Sequence, residues 1–197
     1  GLLIGQENIG GTPLSFDIEI NSIISKIINE RVDNNQQLIE DESRPSNTPF
    51  RYGKINEVDF NFFDKALKII NNQNEIWLLK IKSRDAYAIS LEYNNFNISD
   101  LGKFYVYSSD HEIVYGAYSS LNNNSENIFS TPLVGGEEII LEYNGTQIGT
   151  EIVISKIIHD YRDILNFSNS DRNRDCGTNP SCSEATPYLD QINATSW

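Results

Sequence analysis

The chain has 197 residues, and its 28 Asp and Glu residues against 15 Lys and Arg residues give a formal net charge of −13. The length suits one ordinary domain, and the 39% hydrophobic and 11% aromatic content is typical of a folded protein rather than a disordered one. The acidic charge disfavours nucleic acid as a partner because phosphates would be repelled. No apolar run approaches the roughly 18 residues of a membrane span.

The start of the chain is not a translation start, since the sequence contains no Met and begins Gly-Leu-Leu-Ile. Either a signal peptide has been removed or the chain is cut from a longer one. We expect an exported protein, secreted or located at the cell surface or in the periplasm. The final Ser196-Trp197 follows directly on what looks like the middle of an element, so we also expect a fragment of a longer protein.

Residues 1–49 are predicted to form an N-terminal arm. Several isoleucines there have the i, i+3, i+4, i+7, i+8 spacing of an amphipathic helix, whereas their β-branched side chains favour a strand. These isoleucines are Ile20, Ile23, Ile24, Ile27 and Ile28. Helix and strand therefore both stay open. The segment Leu38–Pro45 is predicted to turn the chain into the next domain, because the residue before a proline avoids helical backbone.

Residues 50–162 are dense in strand signals. Short β-branched and aromatic runs alternate with Asn, Gly, Ser and Asp clusters, which form turns because they tolerate positive φ or bond their own backbone. The predicted strands are 66–70, 75–82, 86–93, 103–108, 112–118, 137–143 and 151–157, with a further one through Val58, Phe60 and Phe62. The polar loop 71–74 predicts a hairpin between the first two. Seven or eight such strands predict an all-β fold, an antiparallel, jelly-roll-like β-sandwich.

The composition changes after Arg162. Residues 163–175 are rich in Ser, Asn, Asp and Arg and are predicted to be a linker, and residues 176–197 are predicted to begin a downstream unit. Cys176 and Cys182 form a Cys-x5-Cys pair, and two cysteines in an exported chain indicate disulfide bonding. They bond each other, or each bonds a cysteine further downstream; both pairings stay open.

The only histidines are His111 and His159, and neither is predicted to be catalytic. A serine-hydrolase triad needs a histidine between a nucleophile and a carboxylate. His159 precedes Asp160, but neighbouring residues on a strand point to opposite faces. No Gly-x-Ser-x-Gly segment is present. We expect a structural His159, a His111 in a solvated turn, and no catalytic residue in this chain.

No metal site and no cofactor is predicted. Asp171, Asn173 and Asp175 alternate as in the opening of a calcium-binding loop, but Gly177 comes one position late and the loop's last position is Cys182 rather than Glu. A zinc site built from the two cysteines and the two histidines fits no ligand spacing well.

Two further sets of residues carry candidate chemistry. Strand acids could serve as paired carboxylates in glycoside hydrolysis, but they more often form solvent faces or cross-strand pairs. Strand tyrosines could form a sugar-stacking platform, although core packing is the more common role. The acids are Glu137, Glu138, Glu142 and Glu151, and the tyrosines are Tyr105, Tyr107, Tyr115 and Tyr118. They motivate a second hypothesis, a jelly-roll-like module of an exported bacterial protein that binds carbohydrate or another protein.

Several segments, taken in order, resemble one protein family. They are 39–42 (Ile-Glu-Asp-Glu), 50–53 (Phe-Arg-Tyr-Gly), 76–81 (Ile-Trp-Leu-Leu-Lys-Ile), 104–108 (Phe-Tyr-Val-Tyr-Ser), 114–118 (Val-Tyr-Gly-Ala-Tyr), 129–137 (Phe-Ser-Thr-Pro-Leu-Val-Gly-Gly-Glu), 140–143 (Ile-Leu-Glu-Tyr) and 157–162 (Ile-Ile-His-Asp-Tyr-Arg). With Cys176, Cys182 and 190–192 (Asp-Gln-Ile) in the tail, they resemble the pro-region and first mature residues of secreted bacterial trypsin-like serine proteases of the lysyl-endopeptidase type.

This resemblance implies a non-catalytic pro-region that assists folding of the protease and holds it latent. Its partner would be the cognate catalytic domain, downstream in the same precursor, which carries the histidine, aspartate and serine. In that family the two cysteines pair with cysteines further into the catalytic domain, which implies the same for Cys176 and Cys182. Activation would cut within 163–175, after Arg172 or Arg174. No Lys occupies that stretch, so lysine specificity is not carried over.

Overall fold

The computed structural model describes residues 7–20 and 24–166, and these are mostly β-strand. The strands are β1 Ser25–Ile28, β2 Gly53–Asn61, β3 Leu67–Asn71, β4 Asn74–Lys82, β5 Ala88–Asn97, β6 Lys103–Ser108, β7 Val114–Tyr118, β8 Phe129–Ser130, β9 Val134–Gly135, β10 Glu138–Asn144 and β11 Glu151–Asp160. The helices are α1 Asn34–Glu42 and α2 Phe62–Lys65, with 3-10 turns at Leu14–Asp17 and Ser120–Asn122.

The strands form two sheets that pack as a sandwich, which confirms the predicted all-β fold. Sheet A has six strands in the order β1-β4-β10-β6-β7, with β3 also beside β4. Sheet B has five strands in the order β2-β11-β5-β8, with β9 also beside β5. Every pair is antiparallel except β1 with β4. The predicted strands all occur, and β1, β8 and β9 are additional short ones.

The main core lies between the two sheets and is rich in aromatic residues. Side chains alternate between the faces of a strand, so Trp77, Leu79 and Ile81 of β4 point into this core. Phe96 stacks on Phe129 with ring centroids 4.1 Å apart, and Phe104 meets Phe62 edge to face at 5.7 Å. Such burial of large rings supplies most of the driving force for folding.

The outer face of sheet A is also apolar, and the N-terminal segment covers it. We call residues 12–20 the strap. Four strap side chains, Leu14, Phe16, Ile18 and Ile20, pack against a second buried cluster on that face. The cluster consists of Ile76, Leu78, Tyr105, Tyr107, Ala117 and Ile140. The residues before the strap are also held to the sandwich by backbone hydrogen bonds, since the Ile9 N–H donates to the carbonyl of Ala117.

The structure decides two expectations for the N-terminal arm. Residues 25–28 form strand β1 rather than a helix, because β1 gains a ladder of hydrogen bonds beside β4. The turn predicted at Leu38–Pro45 is wrong over its first part, where α1 runs to Glu42. The Asp33 side chain caps that helix by accepting a hydrogen bond from the Gln36 amide, which satisfies one of the free N–H groups of its first turn.

The predicted hairpin is confirmed, with a tighter turn than the four-residue loop. Asn71 pairs with Asn74, so only Asn72 and Gln73 turn the chain. Both have positive φ, at 48° and 70°, as a two-residue hairpin turn of the favoured twist requires.

Gly53 at the start of β2 is required by close packing, because a Cβ there would lie 2.7 Å from Cγ2 of Ile158.

Candidate functional site

Polar side chains buried at three places join the first 51 residues to the sandwich. The first place is the carboxylate of Asp41, near the end of α1. Its Oδ1 accepts a hydrogen bond from Arg51 Nε at 2.8 Å. Its Oδ2 accepts from Arg162 Nη2 at 2.6 Å and from the Tyr161 hydroxyl at 2.7 Å. We call these four residues the Asp41 cluster, and it ties α1, the segment before β2 and the chain after β11 together.

The Asp41 cluster holds its carboxylate ionised. The side chain of Asp41 is 7% exposed, while those of Arg51 and Arg162 are 29% and 24% exposed. Burial alone would raise the pKa of Asp41, but the hydrogen bonds from Tyr161, Arg162 and Arg51 outweigh it and lower the pKa from 3.8 to about 2. The guanidinium groups of Arg51 and Arg162, and that of Arg44 at 3.6 Å, thus converge on one carboxylate and form a charged junction.

The second place is the carboxylate of Glu142, which lies in the middle of β10 and is 0% exposed. Its Oε1 accepts from the Ser15 backbone N–H at 3.1 Å. Its Oε2 accepts from the Ser15 hydroxyl and from the Tyr107 hydroxyl, the latter at 2.9 Å. We call these three residues the Glu142 lock. A carboxylate is buried at tolerable cost only when donors surround it, so the lock fixes the strap to sheet A.

The third place is a chain of hydrogen bonds through His159, which is 0% exposed. Asn34 donates from Nδ2 to the carbonyl of Asp85, so its Oδ1 faces His159 Nε2 at 2.8 Å. That nitrogen must therefore carry the proton, and Nδ1 accepts from the Ser83 hydroxyl at 2.8 Å. Asn29 Nδ2 donates to the same hydroxyl at 2.9 Å. We call this series the His159 chain, and it assigns one tautomer to the ring.

The His159 chain is a structural connection, as the sequence predicts for this histidine. Burial lowers the pKa of His159, against the opposing negative charges of Asp160, Asp85 and Glu137. A neutral ring bonded at both nitrogens and closed to solvent has no access to a substrate. The chain instead joins the residues around β1 and α1 to β11.

One cleft opens where the outer face of sheet A emerges from under the strap. Its volume is about 540 Å³. The walls come from the strap, the β3–β4 turn and the loops before β6 and after β10; the lining includes Thr12, Gln73, Glu75, Leu101, Tyr105 and Asn144. Asn144 is 7% exposed, and its Oδ1 is buried without a hydrogen-bond partner among the residues that the structure describes. We call this feature the Asn144 cleft.

The site residues predicted from the tail lie outside the described residues. These are the processing residues Arg172 and Arg174, the cysteines Cys176 and Cys182, and the calcium candidates Asp171, Asn173 and Asp175. Their roles stay predictions. Within residues 7–20 and 24–166, no group of three or more metal-ligating side chains comes together.

The strand tyrosines and acids are placed as follows. Tyr105, Tyr107 and Tyr118 are each at most 2% exposed and Tyr115 packs against the core, so no stacking platform forms. Glu138 makes the cross-strand pair that its position favours, with Lys80 at 3.1 Å and Lys82 at 3.0 Å. Glu142 departs from that expectation, because it is fully buried in the lock.

The sequence alone did not single out Ser15, Asp41 or Arg51. One signal was present, since Asp41, Arg51, Tyr161 and Arg162 all lie in segments that carry the family resemblance. Ser15 carried none, because its role depends on a carboxylate 127 residues away along the chain.

The comparisons with known proteins add no relative. No family model matches the chain, and no curated protein is significantly similar to it. In the described part of the chain, no helix is long and apolar enough to cross a membrane.

Proposed function

We propose that the chain is the non-catalytic pro-region, with the first mature residues, of a secreted trypsin-like serine endopeptidase precursor. The observation that carries this proposal is the Asp41 cluster. Segments 39–42, 50–53 and 157–162 each belong to the resemblance, and they are widely separated in the chain. Asp41, Arg51, Tyr161 and Arg162 from these three segments bond to one another.

Four further segments of the resemblance support the same proposal. Segments 76–81, 140–143, 104–108 and 114–118 lie in β4, β10, β6 and β7, which are consecutive neighbours in sheet A. These four segments therefore build one continuous part of sheet A.

The sandwich would serve the protease as a rigid folding template. The chain leaves β11 in a fixed direction, because the Asp160 carboxylate accepts from the backbone N–H groups of Arg162 and Ile164 at 2.7 and 3.0 Å. The Arg162 side chain is fixed by Asp41 at the same point. A downstream domain would thus start from an anchored position, which lowers the entropy lost when it docks on the sandwich.

Release would follow a cut in the linker 163–175, after Arg172 or Arg174. The experiment is expression of the full-length precursor, followed by N-terminal sequencing of the active product. We expect a first residue within 163–176. Replacing both Arg172 and Arg174 by Gln should stop this cleavage, while Arg84→Gln, at an exposed position in the turn after β4, should leave it unchanged.

Two outcomes would reject the proposal. One is a downstream reading frame without the Thr-Ala-x-His-Cys and Gly-Asp-Ser-Gly segments that a trypsin-like domain carries. The other is an active product whose first residue falls outside 163–176. The 197-residue chain itself should hydrolyse no peptide substrate, and activity that survives purification would equally count against a non-catalytic role.

The alternative function, a carbohydrate- or protein-binding module, draws support from a different part of the molecule. Its support is the Asn144 cleft, which lies on sheet A and contains none of the Asp41 cluster residues. The two functions are compatible, since a pro-region can also bind a ligand.

A further inference from the structure

The Asn144 cleft has a buried polar group that no described residue of the sandwich satisfies. Asn144 is the last residue of β10 and lies two positions after Glu142 on the same outer face. The buried Oδ1 of its carboxamide has no partner within the described residues. Tyr105, which is only 1% exposed, also lines the cleft. Buried polar groups are almost always satisfied in native proteins, so the unsatisfied Asn144 carboxamide oxygen beside an open cleft points to a ligand that supplies the missing hydrogen bond.

The walls of the cleft are already fixed. The Gly145 N–H donates to the carbonyl of Glu75 at 3.0 Å, which joins the loop after β10 to the start of β4. The Tyr143 hydroxyl donates to the carbonyl of Thr146 at 3.0 Å and is within 2.7 Å of the Thr150 hydroxyl. A ligand would therefore enter a preformed site and would order little additional chain, which favours binding.

The floor of the cleft excludes a peptide that binds by adding a strand. Asn144 pairs with Ile76 of β4 on one side and with Lys103 of β6 on the other. The backbone of β10 is thus fully used, and β-strand addition needs a free sheet edge. Recognition here depends on side chains instead.

The lining side chains match a polyhydroxylated ligand. Each side-chain carboxamide offers two N–H donors and an acceptor oxygen, and each hydroxyl offers one donor and an acceptor. The carboxamides in the lining are those of Gln73, Asn74 and Asn144, and the hydroxyls are those of Thr12, Tyr105 and Thr146. A sugar hydroxyl is likewise a donor and an acceptor, so the two surfaces are complementary. Leu101, which is 91% exposed beside the cleft, supplies an apolar surface for the C–H face of a sugar ring.

The charges in the cleft limit the ligand to at most one carboxylate. Glu75 is neutralised by Lys68 at 3.0 Å, whereas Lys103 forms no ion pair with a described residue. One uncompensated ammonium group accommodates one acidic sugar, while the formal charge of −13 repels a polyanion. We propose that the Asn144 cleft binds a short oligosaccharide, neutral or with a single uronic acid. This inference rests on the alternative, binding-module function and does not depend on the pro-region proposal.

The test is NMR titration of the ¹⁵N-labelled chain with tetrasaccharides at millimolar concentration. The neutral arm uses cellotetraose, xylotetraose and mannotetraose, the acidic arm uses oligosaccharides with one glucuronic acid, and a glycan array extends both. We expect shift changes at the amides of Gln73, Leu101, Gly145 and Thr146. Absence of binding in both arms and on the array, or shift changes confined to another surface, would overturn the proposal.

Variants separate recognition in the cleft from nonspecific adhesion. Tyr105→Phe removes one hydroxyl and keeps the ring, so the fold should persist and affinity should fall about threefold to tenfold. Lys103→Ala should weaken the acidic arm by a similar factor and leave the neutral arm nearly unchanged. The controls are Tyr87→Phe and Lys65→Ala, both at exposed positions away from the cleft. Equal loss in the controls, or no loss in Tyr105→Phe, would reject the site.

Discussion

Asp41→Asn is the sharpest test of how the sandwich is held together. The substitution keeps the shape of the side chain but removes its charge and places an NH2 group against a donor, either Arg51 Nε or the Tyr161 hydroxyl. Lowering the pKa of Asp41 from 3.8 to about 2 corresponds to roughly 2 kcal/mol of stability at neutral pH. We expect the free energy of unfolding to fall by about 1–2 kcal/mol, somewhat less than that figure, because the partly exposed Arg51 and Arg162 regain solvation when the charge is removed.

The pH dependence of this loss identifies its cause. The folded-state pKa of Asp41 lies below its ordinary value, so its contribution is present above pH 3.8 and disappears as the pH falls toward 2. Urea denaturation at neutral pH and at acidic pH should therefore show a difference between Asp41→Asn and the unmodified chain that shrinks on acidification. Asp64→Asn, at an exposed position in α2, is the control and should change stability by less than about 0.5 kcal/mol. A difference that is equally large at both pH values would refute the electrostatic explanation.

Two further predictions concern the other buried polar connections. Ser15→Ala should lower the free energy of unfolding by about 1–3 kcal/mol, because the buried Glu142 loses a hydroxyl donor; an unchanged urea midpoint would contradict the lock. Burial lowers the pKa of His159, so its stabilising contribution is present above its ordinary pKa of 6.5 and is lost as the pH falls through the lower folded-state value. His159→Gln should flatten the decline of stability between about pH 7 and 5; a decline as steep as that of the unmodified chain would contradict this prediction.

The sandwich could be predicted from the sequence because its strands carry local signals. In β4 the residues Trp77, Leu79 and Ile81 face the core and alternate with residues of the outer face. The polar turn at Asn72-Gln73 places both residues at positive φ, a conformation that Asn tolerates. Period and turn chemistry act within a few residues of each other, so they are visible without any tertiary contact. The strand β8, which has two residues, is too short for such a signal.

The structure of the N-terminal arm could not be predicted, because contacts with distant parts of the chain decide it. The spacing of its isoleucines fits both a helix and a strand, and pairing with β4 decides for a strand in residues 25–28. The α1 helix has a low proportion of apolar residues, and its position depends on bonds from Asp41 to Arg51 and Arg162. Glu142 similarly has the sequence pattern of an exposed residue and is buried only because the strap covers it. These outcomes depend on partners far away in sequence.

The same long-range bonds constrain when the domain can finish folding. Ser15 and Glu142 are 127 residues apart, Asn34 and His159 are 125 apart, and Asp41 and Arg162 are 121 apart. Contacts of such separation are expensive in chain entropy and form late. The arm is therefore closed onto the sandwich only after the chain has been synthesised at least through Arg162, directly before the predicted linker 163–175. If the proposed protease follows, its folding template is completed just as the first residues of the enzyme emerge.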